Sequence, residues 1–155
     1  MSVEPGLASA PFLAMAVSCP LGGWLSDLLT VRHGSNWGRG VIGASGMALA
    51  ACAMIIGAGS KSSLVAVLFL SISAGCLYFT ISAYWAATVD ISKRHVGMLS
   101  GLMNTGANLG GVVAATMTPW IGARVGWTSA LGVAALVTLA GASMWITIRP
   151  GNPSG

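Results

Sequence analysis

Charged positions interrupt this chain rarely, and the intervals between them are long and apolar. No charge occurs in the 22 positions between Glu4 and Asp27, the 21 between Arg39 and Lys61, or the 28 between Lys61 and Asp90. The same holds for the 29 positions between Arg94 and Arg124 and the 24 between Arg124 and Arg149. A helix of about 20 apolar residues crosses a hydrocarbon core of roughly 30 Å, so each interval accommodates one membrane span. The spacing has an energetic cause, because an Asp, Lys or Arg at a span's centre costs about 2.5–3.5 kcal/mol. The pattern therefore predicts five transmembrane helices, over about Gly6–Leu25, Gly40–Gly59, Ser63–Val89, Val96–Thr118 and Trp127–Ile148. Pro11 and Pro20 fall inside the first, where neighbouring helices can re-satisfy the freed carbonyls. Pro119 is expected to end the fourth, and Arg149-Pro150 the fifth, leaving a flexible tail over 151–155. Trp37, Trp120, Trp127 and Trp145 lie near run ends, where interfacial aromatics concentrate.

Composition agrees with an all-α membrane protein. Of 155 residues, 55% are hydrophobic and 6% charged, and the mean hydropathy is +0.82. A soluble domain carries roughly 25% charged residues. The net charge of +4 does not imply a nucleic-acid partner, since no polar segment is long enough to build a basic face. The partner implied is the lipid bilayer. Cys19, Cys52 and Cys76 sit inside apolar runs without metal-ligand spacing and read as small packing residues. His33 and His95 fall in loops with no second ligand at metal spacing, so no metal or other cofactor is expected. The opening MSVEPGLASAP has no basic region ahead of its apolar stretch, so a cleaved signal peptide is not expected.

Helices alternate in direction, which places Arg32, Arg39, Lys93, Arg94 and Arg149 on one side and only Lys61 and Arg124 on the other. The positive-inside rule then puts the C-terminus in the cytoplasm and the N-terminus outside a cell (inner) membrane.

Two polar stripes stand out on the third and fourth helices. Tyr78, Ser82 and Trp85 share a helix face, as do Asn104 and Asn108. Such groups can hydrogen-bond a carboxylate or sugar hydroxyls in a midplane cavity. They can equally join helices, each contact contributing about 0.6 kcal/mol. Gly97, Gly101, Gly106 and Gly110 read as a close-packing surface that lets helices slide or rock. Asp27 and Asp90 are either solvated charges or, for Asp27, part of a cytoplasmic latch in which it pairs with Arg32 or Arg39 or faces a helix N-terminus; Asp90 with Lys93 and Arg94 reads as a charge cluster at the membrane edge. None of the five runs contains an Asp, Glu, Lys, Arg or His, so no intramembrane proton site is evident. No Ser-His-Asp set, HExxH or phosphate-binding loop is present, and the chain does not read as an enzyme.

The pattern Gly23-x-Leu25-Ser26-Asp27, followed by Arg32, Gly34 and Arg39, resembles the signature loop of the major facilitator superfamily in its weaker second copy. Tyr84-Trp85, Asp90-Ile91-Ser92, GMLSGLMNTGANLGG over Gly97–Gly111 and Pro119-Trp120-Ile121-Gly122 resemble its anion:cation symporter branch. The resemblance spans about Pro11–Gly122. It implies helices eight to twelve of a twelve-helix transporter: a C-terminal bundle lacking its first helix, either a C-terminal piece or an abbreviated form. It further implies part of a secondary active transporter for small organic anions, sugar acids or related carboxylates, working by proton symport and alternating access with an N-terminal half or a partner chain. Substrate contact is implied for Ser82, Trp85 and Asn104, alongside Tyr78 and Asn108, and a conformational latch for Gly23, Asp27, Arg32 and Arg39. The alternative is a non-transporting membrane subunit or inactive fragment packed against another helical chain. A self-assembling small exporter ranks below both, because the first helix holds no carboxylate.

Overall fold

One residue separates the first two helices. In the computed structural model, which describes residues 5–91 and 93–149, α1 (Pro5–His33) and α2 (Ser35–Gly59) meet at Gly34. Gly34 has φ 86°, a left-handed conformation that only glycine adopts without steric cost. The short basic loop expected between these helices is therefore absent. α1 continues helical about two turns beyond Leu25, carrying Asp27 and Arg32 with it. Nothing in Asp27–His33 breaks a helix, and Arg32 and His33 in the last turn complement the C-terminal end of the helix dipole.

The remaining helices are α3 (Ser63–Ile91), α4 (Val96–Val125) and α5 (Trp127–Met144). α4 and α5 also meet at a single glycine, Gly126, with φ 102°. Two hairpins, each closed by a left-handed glycine, thus turn at opposite ends of the bundle. Among the described residues, four helices are long and apolar enough to cross a membrane: Ser9–His33, Ser35–Gly59, Ser63–Ile91 and Trp127–Met144. α4, at 30 residues, has the length, but its glycines, threonines, Asn104 and Asn108 lower its hydropathy. It runs straight through Pro119 to Val125, so the expected stop at Pro119 does not occur. The preceding turn gives up one hydrogen bond, which a membrane helix tolerates. The tail over 151–155 lies outside the described residues.

α1, α2 and α3 pack mutually, and α5 packs on α2. Their contacts use small residues. Ala50, Ala51, Ala83, Ala87, Ala130 and Ala135 are buried, with Gly22, Gly38, Gly43, Gly46, Gly57 and Gly75 between them. A methyl group at Gly22 would strike the Phe79 carbonyl, and one at Gly46 the Thr80 side chain. Small residues permit this approach because lipid offers no hydrophobic drive for helix association, leaving van der Waals packing and hydrogen bonds. One such bond crosses from α3 to α2, where Ser73 Oγ donates to the Ala50 carbonyl at 2.8 Å.

α4 stands apart. Among its residues only Gly122 is buried, and nothing lies within 4 Å of a methyl group built at Gly97, Gly101, Gly106, Gly110 or Gly111. The expectation that these glycines form a close-packing surface is not met within this chain: no described residue lies against them, and the close approaches involve α1, α2, α3 and α5, where a methyl group at Gly141 would strike Met47.

α5 also differs from its expected course. It ends at Met144 rather than Ile148, and Trp145 is 3% exposed against Ile42, Ala83 and Ala87. Trp37, Trp120 and Trp127 are exposed as interfacial aromatics should be, but Trp145 belongs to the core.

Candidate functional site

The single-glycine turn at Gly34 brings the first turn of α2 alongside the last turns of α1. Arg39 is buried there. Its Nη1 donates to Ser26 Oγ at 3.0 Å and pairs with Asp27 Oδ1 at 2.5 Å, both on α1. Its Nε donates to Asp90 Oδ2 at 3.2 Å, near the end of α3. Ser35 Oγ donates to the same Asp90 oxygen. One guanidinium therefore ties together the ends of three helices, using donors on two of its nitrogens. The planar fork of Arg suits this division, which a single ammonium cannot reproduce.

The two acids sit in different surroundings. The Asp27 side chain is 70% exposed and that of Asp90 29%, against 10% for Arg39. The Arg39–Asp90 contact is the better shielded from solvent and salt, although it is the longer of the two. Asp90, expected to cluster with Lys93 and Arg94, instead faces Arg39 and Ser35, while Lys93 and Arg94 lie exposed in the turn that follows. Sequence reasoning missed Asp90, Ser26 and Ser35 as members of this site. The signal available was helix alternation, which puts Asp27, Arg39 and Asp90 at one end of the bundle. Arg32 is exposed and lies outside the cluster.

Gly23 sits one turn from Asp27, and a methyl group there would be 3.4 Å from Ser82 Cβ. Gly23 and Ser82 thus meet across the α1–α3 interface, and Ser82 Oγ reaches the Phe79 carbonyl at 3.5 Å. Tyr78 and Trp85, on the same stripe of α3, are each 41% exposed. Asn104 and Asn108 are exposed on α4, where Asn108 Nδ2 donates to the Asn104 carbonyl at 2.9 Å. Among the described residues no hydrogen bond joins the α3 stripe to the α4 stripe. No group of three or more His, Cys, Asp or Glu able to hold a metal occurs among the described residues.

A model described as Major Facilitator Superfamily matches residues 5–155. The chain belongs to that superfamily. Its relatives include proteins named as anion, ascorbate and phosphate transporters. It is 30% identical over 96% of its length to "Probable anion transporter 4, chloroplastic" of Oryza sativa subsp. japonica, covering 26% of that protein. It is 32% identical over 96% of its length to the chloroplastic ascorbate transporter of Arabidopsis thaliana, covering 28%. A chloroplastic sodium-dependent phosphate transport protein 1 of Arabidopsis thaliana is 30% identical over 97% of the chain, which covers 30% of it. The chain thus spans between a quarter and a third of the length of these relatives. Membership of the superfamily and the apolar helices make this a multi-pass membrane protein.

Proposed function

We propose that this chain is the C-terminal bundle of a secondary active transporter for small organic anions, such as sugar acids or related carboxylates. In this reading it works by alternating access with an N-terminal half or partner chain that supplies the charged groups for substrate and proton. The observation that carries the reading is Arg39 held between Asp27 and Asp90 at the ends of three helices. A rocking bundle needs a contact that exists in one state and breaks in the other, and only the difference between states biases the equilibrium. The Arg39 cluster has that form. The Lys and Arg bias assigns its end, and the C-terminus, to the cytoplasmic face of the cell membrane, with the N-terminus outside. Gly23 lets α1 approach α3 beside Asp27, and Arg32 adds positive charge at the rim.

Substrate contact falls to the exposed parts of the two stripes, Tyr78 and Trp85 on α3 and Asn104 and Asn108 on α4. Trp85 offers a flat wall and one N–H donor for a sugar-like ring, and Ser82 sets the approach of α1 to that wall. The relatives' names, which include ascorbate, phosphate and glutamate, support an anionic cargo. A second reading, a non-transporting membrane subunit, draws on the uncovered surface of α4, which suits packing against another helical chain.

Uptake into proteoliposomes by the native polypeptide tests both. Under an inward proton gradient, a radiolabelled sugar acid should accumulate, and Trp85→Ala should reduce the rate at least tenfold. Absence of uptake for sugar acid, ascorbate, phosphate and glutamate alike, with a second helical chain co-purifying, would establish the subunit reading instead.

A further inference from the structure

The segment after α5 does something its composition does not announce. Trp145-Ile146-Thr147-Ile148 is apolar enough to continue the helix, yet the ladder changes after Met144. Trp145, Ile146 and Thr147 donate to the carbonyls of Ala142, Ser143 and Met144, at 3.3, 3.2 and 3.0 Å. These three-residue closures tighten the chain into a turn. Two β-branched isoleucines and a threonine do not resist that change. The turn carries Trp145 across the ends of α2 and α3, where its ring lies on the bare backbone of Gly43. On the α3 side the Tyr84 ring meets it edge-on, with centroids 4.9 Å apart and planes at 61°.

Two features make this seat unusual. First, Trp145 lines two open pockets. One, of about 350 Å³, is lined by Tyr84, Thr88, Leu102, Met103 and Ile148. The other, of about 310 Å³, is lined by Trp37, Gly40, Val41, Ala44 and Ile146. The ring is held tightly by Gly43 and Tyr84 and loosely on both flanks. Second, its indole Nε1–H is buried with no hydrogen-bond partner among the described residues. A buried unpaired donor is a cost borne by the seated state and relieved by leaving it. Arg39 lies one turn along α2 from Gly43, and Asp90 shares α3 with Tyr84. The same two helix ends are therefore clamped twice, by the ion cluster and by the indole.

We propose that Trp145–Ile148 is a removable strap, whose indole wedge holds the Arg39 ends of α2 and α3 together and whose withdrawal frees them to separate. The steric fit to Gly43 supplies the hold, and the unpaired N–H and the open pockets on either side make the hold reversible. The inference concerns this end of the bundle whether or not an anion crosses it, and its readout is chemical labelling, independent of uptake.

The test places a single cysteine, Ile148→Cys, in the native polypeptide with every native cysteine, Cys19, Cys52 and Cys76 included, replaced by alanine. Labelling by a membrane-impermeant maleimide is followed in nanodiscs, where both faces are open to the reagent. With Trp145 present the thiol should react slowly. Trp145→Ala is expected to raise the rate at least tenfold. Gly43→Ala, which keeps the indole and adds a methyl group beneath it, should raise it as well. Trp145→Phe keeps an aromatic wedge while removing the unpaired N–H and part of the indole, so its rate should stay well below that of Trp145→Ala. The strap is refuted if Gly43→Ala leaves the rate unchanged, or if Trp145→Phe labels as fast as Trp145→Ala.

Discussion

Arg39 faces two carboxylates, and their exposures decide which contact matters more. In the fully buried limit, breaking one partner from an ion pair costs about 3–5 kcal/mol; in the exposed limit, pairs contribute roughly 0–1 kcal/mol. Arg39 and Asp90, at 10% and 29% side-chain exposure, lie between these limits and nearer the first. Arg39 and Asp27, with Asp27 at 70%, lie near the second despite their shorter contact. A coupling energy of about 2 kcal/mol is therefore expected for Arg39–Asp90 and below about 1 kcal/mol for Arg39–Asp27. A double-mutant cycle of Arg39→Ala with Asp90→Asn and with Asp27→Asn measures both, by reversible unfolding in mixed micelles. At roughly 1.4 kcal/mol per tenfold, the Asp90 coupling corresponds to about a 30-fold shift in any equilibrium that breaks the cluster. Arg39→Lys should recover only part, since one ammonium cannot reach Asp90, Asp27 and Ser26 together. Raising salt to 1 M should erase most of the Asp27 coupling and leave most of the Asp90 coupling. If Asp27→Asn couples to Arg39 more strongly than Asp90→Asn does, exposure is not the controlling variable and the ranking fails.

The packing makes further predictions. Gly22→Ala pushes a methyl group into the Phe79 carbonyl and should destabilise the α1–α3 contact by about 1–3 kcal/mol, read as a lowered midpoint in thermal unfolding. Gly101→Ala meets open space on α4, so in the same assay it should be neutral or raise helix stability by up to about 1 kcal/mol; a loss would mean that another chain covers that face. Ser73→Ala removes the bond to the Ala50 carbonyl and should cost about 0.6 kcal/mol, with a loss above 2 kcal/mol ruling out a simple interhelical hydrogen bond.

Much of this protein was legible in its sequence because the membrane imposes a coarse constraint. Charges cannot stay in hydrocarbon, so their positions marked five apolar runs, and the structure places α1 to α5 over them. The acid at the end of the first run was readable as a solvated charge or as a partner of Arg32 or Arg39, and the structure pairs it with Arg39. What the sequence could not determine was anything that depends on two helices meeting. Asp90 has charged neighbours at 93 and 94, yet its contact lies 51 residues away at Arg39, because the packing of α2 against α3 sets that distance. The glycines of α2 and α4 look alike along the chain, but Gly38, Gly43 and Gly46 face a neighbour closely, whereas Gly101 and Gly106 face none among the described residues. Trp145 sits where an interfacial aromatic belongs, and only the bare backbone at Gly43 gives it a place inside. The bilayer as solvent acts on each residue separately and can be read one residue at a time. Close packing acts on pairs distant in sequence, and it is decided only when the helices are in place.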